Sequence, residues 1–228
     1  MNRVSFQPVL TLFALLLAAL SPPAYTQQWP AADPVVTVDF SNPGTNPAHW
    51  VLILHPDGSG HFHSEHGGAP SNESQSMDVP DVDRDVRLSP DFAAHVFQVA
   101  RGHHWFREDC DSHMKVAFQG WKKISYAGPE GQGSCTFNFS KDKDIAELGD
   151  TFVGVSETIR EGARLELLLQ HDRLGLDQET EFMVDAVKDG RLRQIGVIRD
   201  ILERLADDPE VMDRVRKRAR VLLARTGA

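Results

Sequence analysis

The sequence predicts an α+β protein: an antiparallel sheet packed on one or two helices, followed by a C-terminal helical segment. Two observations carry that expectation. Short runs alternating apolar and polar residues crowd positions 35–65 and 114–140, the period of two that a half-buried strand needs. From Lys141 onward the apolar spacing lengthens to threes and fours, which puts one stripe on a helix.

The first strand is VVTVDF (35–40), and SNPGTNP (41–47) is a loop by its Pro, Gly and Asn content. HWVLILH (49–55) and GHFHSE (60–65) flank PDGSG, where Asp57-Gly58 supplies hairpin chemistry because glycine accepts a positive φ. GGAPSNESQSMDVPDVDRD (67–85) reads as a long polar loop. In VRLSPDFAAHVFQVARG (86–102), Ser89 is a good N-cap and Pro90 suits the first helical position. Phe92, Val96, Val99 and Ala100 share a face, and Gly102 marks the stop. Three more strands are expected at MKVAFQG (114–120), WKKISYAG (121–128) and SCTFNFS (134–140), the last two joined by PEGQG.

Ile145, Leu148, Phe152, Val155 and Ile159 then mark one long helical face, weakened by Gly149 and Gly154. Further helices are expected near 163–172, 178–189, 191–206 and 209–225, with Asp208 capping the last and Pro209 opening it. The division falls between an α+β part, 33–160, and a helical part, 161–228.

The opening MNRVSFQPVLTLFALLLAALSPPAYTQQ has Arg3 before an apolar run from Val9 to Leu20, then small residues and prolines. Residues 1–26 thus read as a secretory signal peptide with cleavage between 21 and 26, and the expected location is secreted or periplasmic. No later stretch is apolar and long enough to span a bilayer. In an oxidising compartment the two cysteines, Cys110 and Cys135, are expected to pair. A net charge of −9 argues against general nucleic-acid binding, which draws its affinity from phosphate neutralisation.

Three groups of side chains stand out. His55, His61, His63 and His66 crowd the hairpin, where His61 and His63 would share a strand face and could hold zinc or another transition metal. His103, His104, Asp109, Asp111 and His113 form a second cluster around Cys110. Arg214, Arg216, Lys217, Arg218 and Arg220 make a basic stripe that could meet an anionic membrane surface or complement a helix dipole. No G-x-S-x-G elbow, H-E-x-x-H, phosphate loop or G-x-G-x-x-G is present.

HFHSEHGG resembles the H-x-H-x-D-H signature of the metallo-β-lactamase superfamily over eight residues, with Glu65 where that family has aspartate. The resemblance implies metal-dependent hydrolysis at His61, His63 and His66. Over 48–160 the order of hairpin, L-S-P-opened helix, Trp105-Phe106 and a second strand set is similar to small exported bacterial domains of unknown function. That similarity implies an antiparallel sheet on a helix and no particular activity. The sequence therefore favours a non-catalytic binding module of the cell envelope, whose partner is a protein or an envelope component. Its alternatives are a metal site on the hairpin and a membrane-surface role for the basic helix.

Overall fold

Alternation at the first strand candidate is realised as β1 (Val35–Ser41), with Val36, Val38 and Phe40 buried. The structure, a computed structural model, describes residues 33–65, 67, 79 and 81–226. The leader 1–26 and His66 lie outside the described residues. β2 (His49–Leu54) and β3 (Ser59–Glu65) form the expected hairpin. Gly58 at its turn has φ +83°, and a Cβ there would sit 2.4 Å from Leu88 O, so both conformation and space demand glycine. β4 (Val82–Arg87), β5 (Trp121–Gly128) and β6 (Gly131–Phe137) complete one antiparallel sheet of order β4-β3-β2-β1-β5-β6.

One face of that sheet is the core. Phe40 stacks on Trp50 at 5.2 Å, and Trp50 meets Phe62 at 6.1 Å. Helix α1 (Pro90–Gly102) covers this face with Ala93, Val96, Phe97 and Ala100 buried, and Ser89 Oγ accepts from Phe92 N–H as its cap. Helix α2 (Lys143–His171) adds Ile145, Leu148, Phe152 and Val155 to the same core. Its later residues, from Leu165, join a second apolar cluster with α3 (Gly175–Lys188), α4 (Arg199–Asp207) and α5 (Asp213–Leu223). The fold class is thus α+β with C-terminal helices.

Several boundaries differ from the sequence expectation, each for a physical reason. MKVAFQG forms no ladder: left-handed backbone at His113 (φ 53°) and Gly120 (φ 107°) breaks the extended run at both ends. The segment is tied to Asn138 instead, whose Oδ1 accepts from Gln119 N–H (2.7 Å) and whose Nδ2 donates to Ala117 O (3.1 Å). The polar loop 67–85 contains most of β4, hidden because Arg84 occupies an inner position between Val82 and Val86. Arg84 reaches Glu166 of α2 at 2.7 Å, so this edge position need not be apolar. The last sheet strand ends at Phe137, three residues earlier than the pattern SCTFNFS suggests.

The separate helices expected before and after residue 160 are a single 29-residue α2. Its Gly154 marks a close approach: a Cβ would lie 2.9 Å from Arg191 O, and Thr158 Oγ1 donates to Arg193 O at 2.7 Å. That docking keeps 191–194 out of helix, and Gln194 turns left-handed (φ 53°) before the turn Ile195–Ile198 leads into α4. Pro209 does not open a helix, because residues 209–212 form a turn that seats Val211 in the core, and α5 begins at Asp213.

Candidate functional site

The second face of the sheet carries chemistry. Alternation turns Asp39, His49, His61, His63, Glu65, Asp83 and Asp85 away from the core, and strand register brings imidazoles beside carboxylates. His63 Nδ1 lies 2.9 Å from Asp83 Oδ2, and His61 Nε2 lies 3.2 Å from Asp83 Oδ1. The other nitrogen of His61 reaches Asp85 at 3.0 Å. His49 joins Asp39 (3.0 Å) and approaches Glu65 (3.7 Å). These side chains stay open to water, with His61 and His63 39% and 40% exposed. Val51 sits in their midst, paired with Asp39 on one side and His63 on the other.

The hydrogen bond to Asp83 raises the pKa of His63 above the ordinary imidazole value; desolvation opposes it, and the charge of Asp83 and the hydrogen bond and charge of Glu65 add to the rise. A proton-detected titration is expected to find His63 protonated to higher pH than a free imidazole. Asp83→Asn should return it towards about 6.5. An unchanged His63 midpoint in that variant would remove Asp83 as the cause.

Of the hairpin histidines, His61 and His63 share the open face, as their spacing predicts. His55 stands just beyond the end of β2, on the His61 side. It lines an open cleft of about 820 Å³ with His61, Asp85, Arg87, Arg199 and Asp200.

The second cluster divides. Asp109 Oδ2 pairs with His113 Nε2 at 2.7 Å, and Asp111 accepts from the backbone N–H of His113 and Asn138. The bond from His113 holds the Asp109 carboxyl below its usual range, and the bond from the Asn138 amide does the same for Asp111. His113 is raised in turn by Asp109. His104 bonds Glu108 at 2.6 Å. His103 turns the other way, towards Asp142 and Asp144 at the start of α2. Between these groups, His104, Trp105 and Phe106 form a left-handed turn (φ 49°, 64° and 60°). Trp105 stacks on Tyr126 at 4.8 Å, and the Cys110–Cys135 disulfide fastens the segment to β6.

The basic stripe of α5 meets acids of its own chain. Arg214 and Arg218 both reach Asp177 Oδ1 on α3, at 2.6 and 2.7 Å, and Arg218 also reaches Glu181. Arg216 and Lys217 pair with Asp213, and Arg220 donates to Ala206 O at 2.8 Å. Among the described residues no helix is long and apolar enough to cross a membrane.

Two features were not visible as sites in the sequence. Asp142 and Asp144 read as ordinary helix-start acids, and only the fold brings His103 to them. Glu161 of α2 and Glu179 of α3 meet where Glu161 Oε2 and Glu179 Oε1 are buried and no other residue donates to either, so only a proton on one carboxyl can join them. Burial first, then the hydrogen bond and charge of Glu179, pushes Glu161 up to about 8. A glutamate on a helix of mixed polarity carries no such signal by itself.

No family model matches the chain, nor does any curated protein.

Proposed function

We propose that this chain is an exported binding module of the cell envelope, secreted or periplasmic, that acts through the open face of its sheet and not by catalysis. The observation that carries the reading is the mosaic of His49, His61 and His63 among Asp39, Glu65, Asp83 and Asp85, held in register by four strands. A pleated, backbone-rigid surface presents charge at fixed spacing, which suits recognition of a cationic partner more than turnover. Export is supported by the leader pattern of residues 1–26 and by the disulfide, which persists in oxidising compartments. The partner class this favours is a protein or envelope component with exposed basic groups. A protonated His63 would weaken its grip as pH falls.

A photo-crosslinking side chain at Val51, in the middle of the mosaic, tests this in the native envelope, with exposed Lys188 on α3 as the control position. One discrete adduct from position 51 and none from 188 is expected. Equal labelling from both, or none from 51, would remove the sheet face as the binding surface.

A second reading places zinc or another transition metal on the hairpin, for hydrolysis or storage. Asp83 favours it by lying within 3.2 Å of a ring nitrogen of both His61 and His63. Its mark would be zinc affinity lost on replacing His61 and His63 by alanine.

A further inference from the structure

We propose that His103, Asp142 and Asp144 hold a divalent transition cation, zinc first among them. This site is separate from the sheet mosaic and does not depend on its role. Among the described residues this is the one set of three histidine, cysteine or carboxylate side chains whose ligand atoms all lie within 4.8 Å of one another.

The geometry points to a cation more than to a salt bridge. His103 Nε2 is 3.7 Å from Asp142 Oδ1 and 3.8 Å from Asp144 Oδ2. Those spans are too long for hydrogen bonds. They are near the ligand-to-ligand separation around one ion, since bonds of about 2.0–2.2 Å at tetrahedral angles put neighbouring ligands roughly 3.3–3.6 Å apart. The other ring nitrogen, Nδ1, faces Glu108 Oε2 at 3.8 Å. That span is no hydrogen bond either, and Glu108 Oε1 is already bonded to His104, so Glu108 adds negative charge near the ring without fixing its tautomer.

The imidazole is what distinguishes this place from acids that merely cap a helix. His103 keeps only 16% of its side chain exposed, yet its ring is hydrogen-bonded to none of the three carboxylates around it. The donors also stand on rigid supports. His103 closes α1 and precedes the left-handed turn anchored by Trp105 on Tyr126. Asp142 is fixed as the cap of α2, accepting from the N–H groups of Asp144 and Ile145. One nitrogen and two carboxylate oxygens suit zinc, manganese or cobalt better than calcium, which prefers an all-oxygen shell. Asp144, 71% exposed, faces water, leaving a coordination position for solvent.

The test uses the disulfide-bonded chain, produced without a histidine tag and stripped with a chelator. Zinc is titrated calorimetrically, and cobalt is followed by its visible ligand-field absorption, which reports coordination directly. One site per chain is expected, with calcium unable to displace cobalt. His103→Ala and the solvent-facing Asp144→Asn should each weaken binding at least tenfold, and both should keep the parent circular-dichroism spectrum. Glu108→Gln should weaken it less, with the cobalt spectrum retained. Absence of binding, or binding unchanged in His103→Ala and Asp144→Asn, would overturn the proposal. Binding lost instead in the His61→Ala/His63→Ala variant would also overturn it and move the metal to the hairpin.

Discussion

The variant with both Cys110 and Cys135 replaced by alanine is expected to lose about 3 kcal/mol of stability and the left-handed turn at His104–Phe106 with it. The bridge spans 25 residues, and chain entropy alone assigns such a loop roughly 3.5 kcal/mol. Part of that is offset when the turn relaxes. Three successive L-residues with φ near 50–64° are unfavourable by about 1–2 kcal/mol each. They are retained because Phe106 is fully buried, Trp105 lies on Tyr126 at 4.8 Å, and Arg107 Nε donates to Gln132 O at 2.7 Å. The bridge completes that set by fixing the chain three residues further on. Urea unfolding of parent and variant under non-reducing conditions measures the loss, and near-ultraviolet circular dichroism reports the Trp105–Tyr126 stack. A loss below about 1 kcal/mol with the aromatic signal intact would mean that non-covalent contacts hold the turn alone.

The half of the fold set by local rules was legible in the sequence. Asp57-Gly58 announces its hairpin, and Ser89-Pro90 announces α1, because turn and cap chemistry are decided by the residues themselves. What was not legible depended on partners elsewhere in the chain. The alternation of MKVAFQG is a strand pattern without a neighbouring strand, so Met114, Val116 and Phe118 end up 40–53% exposed. The reverse happened at β4, where Arg84 disguises an inner position because Glu166, far along the chain, satisfies it. The site residues divide in the same way. His61 and His63 could be placed on one face from their spacing of two. Their partners Asp83 and Asp85 could not be identified, since nothing in the spacing gives strand order. His103 was singled out with its chain neighbours, yet it belongs with Asp142 and Asp144, which only the closure of α1 against α2 brings near.

A stability profile that falls between about pH 5 and pH 8 and then levels is the expected signature of Glu161. Burial against α3 is the main cause of its raised pKa of about 8, followed by the hydrogen bond to Glu179 and that group's charge. Arg164 and Arg160 pull the other way without cancelling them. Arg164 Nε stands 3.3 Å from Glu179 Oε2, and Glu161 is the carboxyl of the two that keeps its proton to higher pH. The sign follows from proton counting. In the unfolded chain Glu161 gives up its proton near 4.5, whereas the folded chain keeps it to about 8. Between those values the native state binds more protons, so raising the pH favours unfolding, and above 8 the penalty is constant. The shift corresponds to an effect on the order of a few kcal/mol at 1.4 kcal/mol per pH unit, moderated by relaxation of the pair. Glu161→Gln keeps a hydrogen-bond donor for Glu179 and removes the ionisation. It should therefore flatten the profile, matching the parent near pH 5 and exceeding it at pH 9. Urea midpoints at those two pH values decide the matter. Parallel profiles for parent and variant would mean that the two carboxyls do not share a proton, and that α2 and α3 are joined there by apolar packing and Arg164 alone.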